Sequence, residues 1–372
     1  MQGVAVQGDV APGFEAVRDA FAENFERRGE RGAATAAVVD GRPVVDLWGG
    51  TADDAGTPWA RDTIVHLYSV TKPFVATCAL VLVDRGRVEL DDLVAGIWPA
   101  FGQAGKGNVT LRHLLAHQAG LLTLTGIHEP AVLLDWERTT ALLAAERPAW
   151  EPGSRAGEHA LFFGHLVGEV VRRVDGRTVG AVLRDEVAGP WGLDVHVGLT
   201  ADEQARTATL IDPGGAWRTR MRGAPAALYR RALTNPPGLL EVDVVNSAAW
   251  RAAEIPAVNG HGTARGVAAF YGALAAGGVL GETRLLSSSL LDEALRTQAE
   301  GVDALLERPV RWGLGFQLED DGFGLGGIGG SVGWGDRAAR TGFAYVTRRM
   351  GDHDRADAVE QSFADALRVT RP

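Results

Sequence analysis

The chain has 372 residues, 46% hydrophobic and 23% charged, which is enough for two domains or one domain with a large insertion. A formal net charge of −10 argues against nucleic acid or an anionic membrane surface as a partner. The single cysteine, Cys78, excludes an internal disulfide, and no stretch approaches the roughly 18 apolar residues of a membrane span.

Residues 1–9 lack a basic segment followed by an apolar one, so a cytoplasmic location is expected. Phe14, Val17, Phe21 and Phe25 then recur at helical spacing and predict an amphipathic first helix. Residues 34–39 and 42–48 flank Asp40-Gly41, a hairpin signal. A helix is expected after Ser69, with Pro73 in its first turn, where a missing N–H costs little, and Arg85-Gly86 as its C-terminal cap. Cys78 sits among apolar residues in that helix and reads as a buried core thiol.

From about residue 95 to 235 the pattern is mainly helical, over 111–117, 131–145, 161–174 and 179–187. Residues 210–260 are rich in Pro and Gly and support no assignment. Another helix is expected from Thr263 to Gly277-Gly278. Strands follow at 313–318, 329–334 and 342–347, and a closing helix at 356–367. Strands at both ends with helices between them predict one α/β domain, residues 1–95 and 236–372, carrying an all-α insertion at 96–235.

Chemistry enters with Ser69-Val-Thr-Lys72. Lys72 and Lys106 are the only lysines among 37 basic residues. A lysine kept against that bias, three residues after a serine at a helix start, suggests that the amine itself is needed. Arginine does not deprotonate in proteins and cannot accept a proton, whereas a buried lysine can. Ser-x-x-Lys is also the nucleophile signature of the serine β-lactamase and penicillin-binding-protein group.

Further segments extend that resemblance: Tyr-Ser-Val-Thr-Lys-Pro (68–73), Leu-Arg-His-Leu-Leu-Ala-His-Gln-Ala-Gly-Leu (111–121) and Trp-Glu-Pro-Gly-Ser (150–154). Asn259-Gly-His-Gly-Thr-Ala-Arg265, Trp-Gly-Leu-Gly-Phe (312–316) and Gly-Gly-Ser (329–331) follow in the expected order. The chain resembles the class C β-lactamase family in the broad sense, and more closely its esterase branch, the family VIII carboxylesterases. The resemblance implies a β-lactamase/transpeptidase-like fold, an antiparallel sheet flanked by helices with an inserted helical region.

It further implies that Ser69 is a nucleophile at a helix N-terminus, with Lys72 one turn on as its proton partner. The backbone N–H groups of Ser69 and Ile328 would form the oxyanion hole. Two family elements are changed here. The tyrosine expected after the Pro-Gly segment aligns with Glu158, and reference pKa values for the two groups differ by nearly six units, roughly 8 kcal/mol in proton affinity. The lysine or histidine of the third element aligns with Leu325, in Phe323-Gly-Leu-Gly-Gly-Ile328. A position often asparagine aligns with Arg348, which either restores an anion-binding charge or, as favoured, is a solvated strand-end arginine. Leu325, Gly327, His159 and Arg348 are the candidate substrate-binding residues. His159 either orients the Glu158 carboxylate or faces solvent.

Other motifs read as structural. Gly329-Gly-Ser331-Val-Gly333 matches a nucleophile elbow, but a strand rather than a helix is expected next. Gly322-Phe-Gly-Leu-Gly-Gly327 matches a dinucleotide fingerprint without its βαβ context, and reads as a glycine-rich strand near substrate. His113 and His117, four apart, lack the Glu of a zinc motif and read as core or capping groups. Asp91-Asp92 reads as a solvated turn. Trp136, Trp150, Trp191 and Trp217 are candidate cleft linings that serve equally as core.

These readings point to a serine hydrolase or acyltransferase acting on a small ester or amide through an acyl-enzyme on Ser69, with a biosynthetic tailoring role as one form of it. No cofactor or metal is called for. One alternative is a non-acylating proton-transfer enzyme, a cyclase, lyase or isomerase, that uses Glu158 and Lys72. Another is a binding protein without catalysis in the same cleft. Conventional β-lactam hydrolysis is disfavoured, because neither Leu325 nor Glu158 suits a substrate carboxylate.

Overall fold

Strands from both ends of the chain build one antiparallel nine-stranded sheet in the computed structural model, which describes residues 4–214, 227–238, 240–320 and 322–370. The N-terminal part supplies β1 (Gln7–Val10), β2 (Gly32–Val39) and β3 (Arg42–Gly50). Two short sheets lie between: β4 (Val65–His66) with β5 (Val195–His196) and β6 (His261–Gly262), and the hairpin of β7 (Val279–Leu280) and β8 (Thr283–Arg284). The large sheet resumes with β9 (Ala299–Val302), β10 (Pro309–Trp312), β11 (Gln317–Glu319), β12 (Gly322–Gly326), β13 (Val332–Asp336) and β14 (Thr341–Thr347). Its order is β1-β3-β2-β14-β13-β12-β11-β10-β9.

The β2–β3 hairpin forms at Asp40-Gly41, whose φ angles of 47° and 74° are the left-handed pair that a tight two-residue turn requires. The seam between the chain's two ends runs along β2 and β14, with Thr35 opposite Tyr345. Helix α1 (Glu15–Arg27) and the closing Asp354–Thr370 helix cover one face, where Phe14, Val17 and Phe21 pack with Phe343, Val359 and Phe363. The Ala264–Ala275 helix covers the other. There a Cβ on Gly342 would lie 2.2 Å from the Gly272 nitrogen, so only paired glycines let this helix come so close to the sheet.

Beyond that helix lies α2 (Lys72–Asp84), buried on every side from Lys72 to Leu82 and therefore apolar all round rather than amphipathic. Phe74 stacks on Phe270 at 4.0 Å, and Cys78 is fully inside. The helix ends at Gly86, with φ 64°, whose N–H donates to the Val83 carbonyl. α2 packs against the Phe163–Asp175 helix, and one continuous core joins the helical region to the sheet.

Several local expectations change. Residues 313–316 form the turn between β10 and β11, because the Gly313 N–H closes onto the Phe316 carbonyl at 2.8 Å. Residues 329–331 are likewise turn, and pairing begins at Val332. The helix expected over 131–145 breaks at Asp135, whose side chain accepts from the Arg138 N–H and caps a separate helix, Trp136–Ala145. Within 210–260, short helices occupy Ala227–Thr234, Val242–Val245 and Ala248–Ala252. No helix of the described residues is long and apolar enough to cross a membrane.

The core also holds imidazoles. His66, His117, His159, His165 and His261 are buried. Burial, and to a lesser extent nearby Arg251, Lys72 and Arg172, pushes His66, His159 and His165 respectively down to about 3. Such groups bind fewer protons folded than unfolded at any pH between the two values. Their stability contribution is therefore complete above about pH 6.5 and is lost as pH falls toward 3, on the order of 2 kcal/mol each at pH 5. We expect the melting temperature to fall steeply from pH 7 to 4 in a thermal-unfolding series. Both His165 ring nitrogens lack partners among the described residues, so His165→Phe should lose less between pH 7 and 5 than the parent chain. Equal losses would refute the assignment for that residue.

Candidate active site

Ser69 is presented by a backbone held under strain. Tyr68, just before it, sits at φ 48°, a left-handed conformation that costs a non-glycine residue about 1–2 kcal/mol. The surroundings enforce it. The Leu67 N–H donates to the Gly260 carbonyl at 2.8 Å, and the Gly260 N–H donates back to Thr71 Oγ1 at 2.9 Å. Thr71 Oγ1 in turn donates to the Tyr68 carbonyl at 2.6 Å. A 3-10 turn, Tyr68–Thr71, then runs directly into α2. Side chains three apart eclipse in such a turn, which brings Lys72 under Ser69.

The Lys72 ammonium donates to Ser69 Oγ at 2.6 Å and lies 3.0 Å from Glu158 Oε1. Lys72 is fully buried, whereas the Glu158 side chain is 11% exposed at the cleft. Burial drives the lysine below its ordinary pKa, and the adjacent Glu158 carboxylate partly restores it. A lone buried ammonium would cost several kcal/mol, so this carboxylate is what permits the charge.

Glu158 is itself positioned. Its backbone N–H donates to Oδ1 of buried Asp303 at 3.2 Å, and Asp303 Oδ2 accepts from Trp312 Nε1 at 2.9 Å. Asp303 thus ties the Glu158 segment to β10. The sequence reading missed it, since a lone aspartate before a strand carries no motif.

A cavity of about 570 Å3, ordinary for a small-molecule site, opens over these groups. Its lining includes Ser69, Glu158, Tyr229, Leu233, Trp312, Leu325, Gly327 and Ile328. The third-element segment is therefore brought to the cavity that Ser69 lines. A Cβ on Gly327 would lie 2.5 Å from the Leu67 carbonyl, so glycine allows β12's end to meet the Ser69 turn. Ser69 and Ile328, the two residues whose N–H groups were expected to receive an oxyanion, both line the cavity. The rim also carries Glu319, Asp352, His353, Asp357 and Glu360, with Arg308 as its one arginine or lysine among the described residues.

Two candidates lie elsewhere. His159 neither orients the Glu158 carboxylate nor faces solvent: it is fully buried, its N–H donates to His117 Nδ1 at 3.1 Å, and its ring packs 5.3 Å from that imidazole. Arg348 is buried rather than solvated and points away from the cleft. Its guanidinium donates to Asp54 Oδ1 at 2.6 Å, and its Nε to the Thr209 carbonyl at 2.7 Å.

Of the two readings kept for the tryptophans, packing rather than cleft lining holds for the three that are described. Trp136 is bound to Glu169, Trp191 donates to the Thr283 carbonyl, and Trp150 packs against Gly120 and Arg155. Trp217 lies outside the described residues, and Trp312 and Trp334 line the cavity instead. Ser331 Oγ accepts from the Thr347 N–H at 3.3 Å within the sheet. His113 closes a capping box with Thr110, and Asp91 pairs with Arg112. Among the described residues no group of three or more His, Cys, Asp or Glu is placed to hold a metal.

A β-lactamase family model matches residues 17–366. The esterase/β-lactamase LipL of Mycobacterium tuberculosis is 37% identical over 369 residues, covering 94% of this chain and 84% of that protein. Among solved structures, a family VIII carboxylesterase superposes with a TM-score of 0.90 at 39% identity, covering 97% of this chain and all of that one. A penicillin-binding-protein homologue from Caulobacter crescentus gives 0.86 at 36% identity, with the same coverage. Fold, nucleophile turn and sequence agree: the chain belongs to the β-lactamase family, the group of serine β-lactamases and penicillin-binding proteins.

Proposed function

We propose that this chain is a serine hydrolase or acyltransferase that takes the acyl group of a small ester or amide onto Ser69. The observation that carries this reading is the 2.6 Å hydrogen bond between Lys72 and Ser69 at the floor of the cleft. The names of its relatives, an esterase/β-lactamase and a carboxylesterase, support the same class. Ser69 Oγ attacks the acyl carbon while its proton passes to the Lys72–Glu158 pair. The N–H groups of Ser69 and Ile328 receive the developing oxyanion, a role that replacement of a side chain at Leu325 leaves intact. Water or an alcohol then resolves the acyl-enzyme.

Substrate charge follows from the rim. Among the described residues the rim sets Glu319 and Asp352 against Arg308, while burial raises Asp357 and pushes Glu360 up to about 7, a balance that favours neutral or cationic substrates over a carboxylate such as that of a β-lactam. A second reading rests on Glu158 bordering the cavity in person: the Lys72–Glu158 pair performs proton transfer without an acyl-enzyme. Activity surviving in Ser69→Ala and lost in Glu158→Ala would select it.

Incubation with a fluorophosphonate should add one adduct mass at Ser69, absent in Ser69→Ala and retained in Ser331→Ala. An unlabelled parent chain would sink the acyl-enzyme reading. A pH profile tests the carboxylate separately. Because Glu158 raises the Lys72 pKa, Glu158→Gln should leave the lysine deprotonated to lower pH. The acid limb of kcat/KM then moves downward, even if the plateau drops about tenfold or more. An unmoved limb would mean that Lys72 is not the titrating base.

A further inference from the structure

Glu158 reaches Lys72 from a loop, on a long side chain, so its backbone has to stand at a fixed distance from α2. The Asp303 carboxylate takes one N–H group of that loop, the one on Glu158. The flanking two, on Gly157 and His159, both go to a single residue. The Gly157 N–H donates to the His117 carbonyl at 2.9 Å, and the His159 N–H donates to His117 Nδ1 at 3.1 Å.

His117 occupies an unusual backbone position. It follows the Leu111–Leu115 helix, and its N–H donates to the Leu114 carbonyl at 3.3 Å. The next N–H, on Gln118, donates to the His113 carbonyl at 2.8 Å. That pair of bonds is a Schellman closure, whose left-handed residue is usually glycine and sometimes asparagine. Here it is a histidine at φ 59°, a conformation in which a side chain is strained. What glycine could not supply is the ring nitrogen that the His159 N–H meets. The ring is fully buried and wedged, 4.3 Å from Trp312 and 4.9 Å from Phe163 between centroids. Trp312 also donates to Asp303, so both supports of the Glu158 loop lean on one indole.

We propose that His117 is a positioning residue for the Lys72–Glu158 pair: by taking the N–H groups on both sides of Glu158, it holds that carboxylate against the ammonium. This rests on the reading above that the pair receives the Ser69 proton. An Nδ1 that accepts leaves the ring's single proton on Nε2, so the imidazole is neutral. Burial first, then the His159 ring and the Lys72 charge, hold it well below the ordinary imidazole range. His159, the second imidazole that feels Lys72, is pushed by burial down to about 3 and is neutral as well. Neither ring titrates with the lysine, so a moved acid limb reports on Lys72 and its carboxylate.

The test reads the acid limb of kcat/KM against pH for a p-nitrophenyl ester in the parent chain, Glu158→Gln, His117→Leu and His117→Asn. Leucine keeps the apolar packing and has no acceptor. Asparagine accepts through Oδ1, which takes the place of Nδ1, and it tolerates the left-handed backbone. His117→Leu should move the limb down in pH, the direction expected of Glu158→Gln, with the plateau about tenfold lower. His117→Asn should keep the parent's limb. The double variant of His117→Leu with Glu158→Gln should move it no further than Glu158→Gln alone, because both act through one carboxylate.

A residue that serves packing alone would lower the plateau of His117→Leu and leave its limb in place. That result overturns the inference, and so does a limb that moves equally in His117→Asn. An unmoved limb in Glu158→Gln overturns Lys72 as the base and this inference together. Should His117→Leu fail to fold, the 15N spectrum of histidine-labelled parent protein decides. The His117 ring signals, identified by their loss in His117→Asn, should show a proton on Nε2 and an accepting Nδ1. A proton on Nδ1 would overturn the assignment.

Discussion

A single buried ammonium organises the site. Lys72 has no solvent contact, so its charge persists only where a carboxylate meets it, and the charge can leave it only toward Ser69 or Glu158. That constraint reaches far beyond three residues. Glu158 must be held at a fixed height above α2, which Asp303 does by taking its backbone N–H while also holding the Trp312 indole. The helical region, the strand β10 and the nucleophile turn are thereby tied to the same few ångströms.

Strain and support are divided between different layers. The left-handed Tyr68 aims Ser69 at the cleft, and the energy that holds it comes from the Gly260–Thr71 hydrogen bonds and the packing of α2. Rigid elements therefore carry Ser69 and Lys72. The segments that meet the rest of a substrate, around Tyr229, Leu306 and His353, come from shorter helices and loops at the cavity rim. Such a division lets the cavity rim vary while the Ser69–Lys72 pair stays fixed.

Most of the framework was legible in the residues. Hairpin, first helix, nucleophile helix and closing helix each follow from local signals: Asp40-Gly41, the Phe14–Phe25 spacing, Pro73 with Gly86, and the apolar run before the C-terminus. The nearness of Glu158 to Lys72 was also legible, because the Pro-Gly segment sets where the chain returns to the cleft. What failed did so for tertiary reasons. Arg348 reads as a surface arginine until Asp54 and Thr209 close over it. His159 reads as a site residue because it adjoins one, yet the chain direction at Glu158 turns it into the core. Tyr229 lies in a stretch whose prolines and glycines hide any periodicity, so only the fold brings it to the cavity that Ser69 lines.

The seam between β2 and β14 has a consequence for how the molecule comes into being. Its partners are separated by some three hundred residues, and the nucleophile turn leans on Gly260, nearly two hundred residues further on. A chain emerging from the ribosome completes its helical region long before it can close the sheet around it. Folding is governed by contacts of high sequence separation, which places it among slow topologies. Until β14 arrives, β2 is an open apolar edge of the kind chaperones shield. The Ser69 turn thus gains its geometry only after Gly260, which supports it, has been made.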